Sequence, residues 1–233
     1  MLWLAVLVDL THALAATSPA WPGAPHVAFA IEADYAQGYF ARHVSMPEHA
    51  GTHVDAPAHF VRGGATVDAI APEALRAPAV VVDVRAAVAK NADYAVRAAD
   101  LQAWERAHGA MPEHAFVIAR TGWEARWGDE ARYRNSDGKD VMHFPGFAAD
   151  AIAWLLAHRP SFVGVGIDTL SIDAGASTDF AAHRTLLGAG KYGVENLAGL
   201  DALPARGATV VVAPLKLAGG SGAPARVFAD VPR

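Results

Sequence analysis

The chain has 233 residues, of which 53% are hydrophobic and 18% charged, which is enough for one sizeable core and typical of a single domain spanning 1–233. A net charge of −5 without any basic run argues against a nucleic-acid-binding protein. The absence of cysteine excludes disulfides, thiolate metal sites and cysteine nucleophiles, and it fits a protein of the reducing cytoplasm.

The predicted elements begin with an apolar run over residues 2–10. Asp9 interrupts this run and no basic segment precedes it, so a buried strand is favoured over a signal peptide or a membrane span. Prolines and a glycine then predict a loop around Trp21. Short apolar segments predict further strands at 26–32, 38–46, 51–56 and 78–85.

The second half of the chain alternates between helix and strand signals. Asp100 is predicted to cap a helix over 101–108. Residues 121–146 have no clear period, and a connection of this length is typical of a functional loop or an insertion. The remaining pattern predicts strands at 115–120, 162–167, 208–213 and 225–229, and helices at 147–158, from Ser177 or Thr178 to 187, and at 194–203. This mixture predicts an α/β or α+β domain with a mixed central sheet and flanking helices.

Three histidines and an aspartate lie close together in residues 49–59, which read His-Ala-Gly-Thr-His-Val-Asp-Ala-Pro-Ala-His. Neutral imidazole and carboxylate groups are suitable ligands for zinc, manganese and similar divalent ions. The glycine, the proline and the β-branched residues of the segment argue against a helix. A strand would place His53 and Asp55 on one face, with their Cα atoms roughly 6.6 Å apart.

The same strand would separate His49 from His53 by roughly 13 Å, which is a long span for two imidazoles that share one ion. We therefore predict a bend or a bulge at Gly51, since glycine is the residue type that tolerates one. Pro57 is expected to end the regular pairing, so that His59 turns back toward the site. The sequence therefore predicts a metal site rather than a set of unrelated histidines.

His183 and Glu195 are the residues that we select to complete this site. With them, the carboxylates of Asp55 and Glu195 could bridge two ions, as paired-metal hydrolases often require. Spacing alone leaves two ordinary explanations open. His183 could be a surface residue beside Arg184, and Glu195 could be favoured near a helix start by the helix dipole.

The segment 49–59 resembles the signature of the putative cyclase family, which includes bacterial kynurenine formamidase (arylformamidase) and isatin hydrolase. The resemblance continues in order along the chain, through Trp21-Pro22-Gly23, the Asp-rich segment 166–173, His183, and the segments 192–196 and 213–226. It implies a swivelling β/β/α fold and a homo-oligomer, either a homodimer or a homotetramer. It also implies an arylformamidase-like activity of the kind used in tryptophan catabolism.

The resemblance further implies which residues hold the metal. His49, His53 and Asp55 match the ligands of a first ion. Asp55, His183 and Glu195 match the positions that hold a second or bridging ion in the formamidases. The number of ions per subunit is therefore expected to be one or two.

Other positions are expected to contact the substrate. His59 matches the catalytic acid/base of the family, and Trp21 matches a substrate-contacting aromatic residue. Trp123 could stack on an aromatic substrate beside Trp21, with ordinary packing as the alternative. The segment 121–146 looks longer than its counterpart in compact kynurenine formamidases, so we expect it to shape the pocket together with the Trp21 loop.

Together these features predict a metal-dependent hydrolase that uses metal-activated water, with zinc or manganese as the ion, to cleave an amide carbonyl. The substrate would be an N-formyl arylamide such as N-formylkynurenine, or a cyclic amide such as isatin. One alternative is a metal-dependent lactonase or dehydratase on the same scaffold. Another is a non-catalytic, cupin-like metal-binding protein, although the predicted helices fit the all-β cupins poorly. Neither a nucleic acid nor a membrane is expected as a partner.

Overall fold

Strands rich in β-branched and small apolar residues form the centre of the computed structural model, which describes residues 6–232. The strands are β1 Val6–Asp9, β2 Ala28–Ala33, β3 Ala41–Ser45, β4 His53–Asp55, β5 Arg76–Asp83, β6 Ala95–Val96, β7 Phe116–Arg120, β8 Gly146–Phe147, β9 Gly164–Ile167, β10 Tyr192–Glu195, β11 Arg206–Pro214 and β12 Gly222–Val231. Eight of them form one sheet in the order β1-β12-β11-β5-β7-β9-β10-β4. Because β4 pairs with both β10 and β12, this sheet closes on itself like a barrel.

The main sheet is mixed, as predicted. Strands β5, β7, β9 and β10 pair in parallel, whereas β4, β11, β12 and β1 join them through antiparallel pairs. The strands β2 and β3 form a separate hairpin, and β6 and β8 form a short parallel pair.

Five α-helices complete the described part of the chain: α1 Arg85–Val88, α2 Ala98–His108, α3 Glu130–Arg134, α4 Ala149–His158 and α5 Ala181–Gly188. Helix α4 packs between α2 and α5 beside the sheet. The predicted α/β fold with a mixed central sheet and flanking helices is confirmed. None of the helices in residues 6–232 has the length and apolar character that crossing a bilayer would require.

Both faces of the central strands are buried. In β5, Ala79 and Val81 pack into one apolar cluster, while the alternate residues Val80 and Val82 pack into a second cluster that includes residues of α2, α4 and α5. Burial on both faces explains why the sequence of this strand is a continuous apolar run rather than an alternating one.

The first predicted strand differs from the prediction of a buried element. Its residues 2–5 lie outside the described residues, and β1 is an edge strand whose pairing within the described chain is with β12. Leu7 is 63% exposed, and burial begins at Leu10. The apolar run therefore predicted a strand correctly but predicted its burial wrongly. Whether a strand lies at the edge of a sheet depends on pairing with residues distant in sequence.

Two predicted helices begin at other residues in the structure, and the segment 121–146 contains short helical turns. Helix α2 begins at Ala98, and Asp100 lies within its first turn, where its carboxylate accepts a hydrogen bond from the backbone N–H of Arg97. Helix α5 begins at Ala181 rather than at 177 or 178, and the hydroxyl of Ser177 instead accepts a hydrogen bond from the backbone of Phe180. The segment 121–146 contains a 3-10 turn at Trp123–Arg126 as well as α3.

The helix predicted at 194–203 is wrong. This segment provides the end of β10 and a 3-10 turn at Leu200–Ala202. Val194 is fully buried and pairs with Val54 on one side and with Gly166 on the other. Sheet pairing on both sides therefore overrides the local helical pattern.

Gly164 of β9 lies opposite Tyr192 of β10, and we expect Gly164→Ala to lower the free energy of unfolding by about 1–3 kcal/mol. A Cβ atom there would lie 2.4 Å from the carbonyl oxygen of Tyr192, which belongs to the backbone and cannot rotate away. Gly188→Ala is the matched control because nothing lies within 4 Å of its Cβ position. It is expected to be neutral or slightly stabilising in a helix. Urea unfolding of the two variants measures the difference, and equal midpoints would contradict the prediction.

Candidate metal centre and cavity

The pairing of β4 with β10 creates the floor of the candidate site. Glu195 lies opposite His53 in the register, and Gly193 lies opposite Asp55. The side chains of His53, Asp55 and Glu195 are almost completely buried. The Nε2 atom of His53 is 3.3 Å from Asp55 Oδ1 and 3.4 Å from Glu195 Oε2. The strand geometry thus brings together two residues of the first motif and one residue 140 positions later.

The predicted bend at Gly51 is confirmed. Its φ angle is +62°, and a Cβ atom at this position would lie 2.4 Å from Leu14 Cδ2, so a larger residue does not fit without a shift. The bend folds His49 back, and its Nδ1 atom lies 2.6 Å from Asp55 Oδ1. The ring centroids of His49 and His53 are 5.2 Å apart.

His59 also turns back toward the site, as predicted from Pro57. The short 3-10 turn Pro57–His59 follows β4 directly. The ring centroid of His59 is 4.0 Å from that of His49, and the ring lines a cavity above the buried carboxylates. His59 therefore lies at the exposed side of the cluster, in contrast to His53.

Helix α5 contributes His183 to the same floor. Its Nε2 atom is 3.1 Å from Asp55 Oδ2 and 3.2 Å from Glu195 Oε1. Its Nδ1 atom is 2.6 Å from Asp173 Oδ2, and Asp173 also accepts hydrogen bonds from the backbone N–H groups of Ala182 and His183 in the first turn of α5. Asp173 ends the Asp-rich segment 166–173, and its hydrogen bond to His183 is not predicted by that motif. Its position ten residues before His183 was the available signal.

The hydrogen bonds of the two buried histidines leave their Nε2 atoms directed at the carboxylates. His53 donates from Nδ1 to the carbonyl oxygen of Gly51, at 2.8 Å, and a carbonyl can only accept. His183 is held at Nδ1 by Asp173 in the same way. A metal-binding histidine characteristically makes such a bond with its other nitrogen.

The donor atoms also meet the distance requirement for a divalent ion. Those of His53, Asp55 and Glu195 all lie within 4.8 Å of one another, as do those of His49, Asp55 and His59. Imidazole nitrogens and carboxylate oxygens are the ligands that zinc and manganese accept in proteins. The residues present therefore fit a divalent metal ion.

The electrostatics of the floor favour the uptake of positive charge. Burial raises the pKa of Glu195, and repulsion from the Asp55 carboxylate raises it further. Burial acts in the same direction on Asp55, but the neighbouring imidazoles of His53, His183 and His49 outweigh it and hold its pKa well below the usual value. Burial opposes protonation of His53, yet Asp55 and Glu195 raise its pKa to about 9. A bound cation would neutralise these two carboxylates in place of the protons.

An apolar cavity of about 380 Å³ opens above this floor. Its walls include Trp21, Phe60, Leu170 and Phe180, and the ring centroids of Phe60 and Phe180 are 5.7 Å apart. Trp21 also lines the cavity, with its ring centroid 6.1 Å from that of Phe180. Aromatic walls around a few convergent polar groups are typical of a site for a small, largely apolar molecule.

The structure does not place Trp123 in this cavity. Trp123 is 2% exposed, donates a hydrogen bond from Nε1 to the carbonyl oxygen of Tyr133, and packs beneath the guanidinium of Arg126. Trp123 belongs to an apolar cluster that also contains Leu170, and Leu170 is a described residue that lines the cavity. Trp123 thus supports the cavity wall from behind, and the packing alternative replaces the prediction of substrate contact.

Helix α3, within the segment 121–146, holds the loop that carries Trp21. The carboxylate of Glu130 accepts a hydrogen bond from the backbone N–H of Ala20, at 3.0 Å. Arg134 donates from Nε to the carbonyl oxygen of Ala20, at 2.8 Å, and forms an ion pair with Glu130 at 2.7 Å. Both backbone groups of the residue before Trp21 are therefore fixed by α3, a contact that sequence reasoning did not identify.

The chain is similar to known proteins in both sequence and structure. A family model described as putative cyclase matches residues 8–174. An isatin hydrolase of Roseibium aggregatum is 38% identical over 196 residues, which cover 81% of this chain and 73% of that protein. A kynurenine formamidase of Salinibacter ruber is 30% identical over 233 residues, covering 97% of this chain and 98% of that protein. The solved structure of isatin hydrolase A from Ralstonia solanacearum is similar with a TM-score of 0.91 and 40% identity, over 97% of this chain and 92% of that chain.

Proposed function

This chain belongs to the putative cyclase family, and we propose that it is a metal-dependent amidohydrolase that opens a cyclic aromatic amide of the isatin class. The observation that carries this proposal is the convergence of His53, Asp55, His183 and Glu195 beneath an aromatic cavity. An N-formyl arylamide is the second candidate, supported by the similarity to a kynurenine formamidase over nearly the whole chain. The cupin-like alternative is not supported, since the helices α2, α4 and α5 pack beside the sheet.

The metal would be held by the buried floor of the cavity. We assign His49, His53, Asp55, His183 and Glu195 as its ligands, with zinc or manganese as one or two ions per subunit. A divalent ion there would act as a Lewis acid for the carbonyl and would lower the pKa of bound water far below that of bulk water. This donor set, rather than any single histidine, supports the assignment.

His59 is assigned as the residue that moves the proton. It lies at the edge of the cavity, where desolvation by the surrounding side chains lowers the pKa of its partly covered ring to about 4, so the ring is neutral near pH 7. A neutral imidazole can accept the proton of the attacking water and then deliver it to the leaving nitrogen. The hydroxyl of Ser221 holds the neighbouring ring of His49 at Nε2, which leaves Nδ1 directed at Asp55, and His49 would bind the ion through that atom.

The aromatic walls are assigned to orient the substrate. Trp21, Phe60 and Phe180 offer flat apolar surfaces on which the fused ring of an isatin-like molecule can pack. Such packing would direct the amide carbonyl toward the polar floor and exclude bulk water. A lactone with a similar ring would place its carbonyl in the same way. Lactonase activity would therefore be a side reaction at the same site, and it can be assayed there.

We expect purified, metal-loaded protein to hydrolyse isatin with at least about tenfold higher kcat/KM than N-formylkynurenine, because the cavity is predominantly apolar. Removing the metal with a chelator should abolish both activities, and adding back zinc or manganese should restore them. Absorbance of substrate and product measures the rates, and elemental analysis measures metal content. Full activity after complete removal of metal would overturn the proposed function. A preference for N-formylkynurenine would instead select the second candidate.

We also propose that the chain is a single domain over 1–233 that forms a homodimer or homotetramer in the cytoplasm. The single main sheet draws its strands from Val6 to Val231, which supports one domain. The hairpin of β2 and β3 exposes apolar side chains, which supports self-association: Ile31, Tyr35, Tyr39, Phe40 and Val44. The absence of cysteine supports a reducing compartment.

A further inference from the structure

A chain of hydrogen bonds connects α3 with the ring of His53. The hydroxyl of Tyr133 lies 2.9 Å from Asn196 Oδ1 and 2.9 Å from the carbonyl oxygen of Asp168. Asn196 Nδ2 donates to the carbonyl oxygen of Gly51 at 2.8 Å, and that same oxygen accepts from His53 Nδ1, also at 2.8 Å. Both donors meet at an atom that can only accept, which fixes the orientation of the Asn196 amide and the donor role of His53 Nδ1.

Asn196 is built into this network by its backbone as well. It is 1% exposed and directly follows Glu195, with a φ of +56°, a left-handed conformation that asparagine tolerates better than most residues. Its backbone N–H donates to Thr169, and its carbonyl oxygen accepts from the hydroxyl of Thr52 at 2.5 Å. Asn196 therefore connects the end of β10 with the bend that precedes β4.

Tyr133 is the contact that α3 makes with this buried amide. It is completely buried, with its ring edge-on to Trp127 at a centroid distance of 5.2 Å. Its hydroxyl can donate one proton and accept another, so it can satisfy Asn196 or Asp168 as donor. Loss of this oxygen would leave a buried acceptor without its partner, which is unfavourable for the folded arrangement.

We propose that Tyr133 is a positioning residue for the metal ligand His53, which it orients through Asn196 and the carbonyl group of Gly51. This inference rests on the proposed metal site. Removing a hydrogen-bond partner of a metal-bound histidine typically weakens metal binding by about 10–100-fold. Tyr133 lies further along the network than such a direct partner, so about tenfold is the expected effect. The segment 121–146 thereby contributes to the metal centre without contacting the metal.

The test is the affinity of the full chain for Zn²⁺, measured by competition with a chromophoric chelator. Tyr133→Phe removes one oxygen and keeps the ring, and it should weaken Zn²⁺ binding about tenfold. Tyr192→Phe is the matched control, because Tyr192 is also buried and its hydroxyl also lies 2.9 Å from a carbonyl oxygen, that of Ala74. Urea unfolding of the metal-free proteins should show similar losses of stability, whereas Zn²⁺ affinity should change only for Tyr133→Phe.

Two further variants separate positioning from general destabilisation. His53→Ala should bind Zn²⁺ too weakly to retain it through dialysis, and the weak affinity that chelator competition still detects should not change when Tyr133→Phe is added. Asn196→Gly keeps the left-handed backbone and removes the amide, so it should weaken Zn²⁺ binding at least as much as Tyr133→Phe, and it serves as the test should Tyr133→Phe not fold. If Asn196→Gly or Tyr133→Phe binds Zn²⁺ with wild-type affinity, the positioning role of Tyr133 is overturned and the proposed function is not. A wild-type protein that does not bind Zn²⁺ or Mn²⁺ overturns the proposed function itself.

Discussion

Asp55→Ala is expected to empty the metal site and to abolish hydrolysis. Asp55 is 1% exposed and lies within 3.3 Å of a ring nitrogen of each of three histidines: His49, His53 and His183. It also belongs to both groups of donor atoms that could hold an ion. Its removal should therefore weaken metal binding by more than the roughly 100-fold upper range seen for residues that merely support a ligand.

Elemental analysis after dialysis, together with isatin turnover, measures both effects of Asp55→Ala. Asp150→Ala is the control, because this carboxylate is exposed in the first turn of α4. Asp55→Asn separates charge from shape and should also lose metal, since a neutral amide cannot offset a divalent ion as a carboxylate does. Stoichiometric metal in dialysed Asp55→Ala would contradict the assignment of Asp55 as a shared ligand.

The first half of the site could be predicted because its geometry is local. In residues 49–59, alternation along a strand places His53 and Asp55 together, and Gly51 marks the bend that returns His49. These relations extend over a few residues, so backbone geometry is sufficient to derive them. The structure confirms both the shared face and the bend.

The other two residues of the site, His183 and Glu195, could be selected by the family resemblance, but the local sequence pattern does not explain why they reach the site. Glu195 reaches the site because β10 pairs with β4, a register that involves residues 140 positions apart, and the sequence pattern placed it in a helix. His183 faces inward because Asp173 holds its Nδ1 atom and the start of α5. Neither contact has a periodic signature. Such long-range pairings are decided by tertiary packing, which one sequence reveals poorly.

The contacts of α3 could not be predicted from the sequence for a related reason. Its residues Glu130, Tyr133 and Arg134 look like an ordinary short polar segment, yet they contact the Trp21 loop on one side and Asn196 on the other. A segment of this kind acts through backbone groups of distant residues, and backbone groups carry no sequence signal. The same principle explains why Trp123, a conspicuous aromatic residue in the sequence, lies behind the wall rather than in the cavity.

His59→Ala is expected to lower turnover by about 10²–10⁴-fold while the protein retains its metal. The ring of His59 faces the cavity beside His49, whereas the buried floor of His53, Asp55, His183 and Glu195 forms without it. Loss of a proton-transfer group should reduce kcat and leave substrate binding largely intact. Isatin kinetics and elemental analysis of the same preparations provide the two measurements.

The comparison that decides the role of His59 is with His53→Ala, which should lose both metal and activity. His158→Ala is the control for histidine removal, because His158 ends α4 and its exposed ring bonds the carbonyl oxygen of Trp154. His59 also has a ring nitrogen within 4.8 Å of donor atoms of His49 and Asp55, so a ligand role is the specific alternative. If His59→Ala lost metal as completely as His53→Ala, His59 would be a ligand, and proton transfer would have to be assigned to another group that lines the cavity.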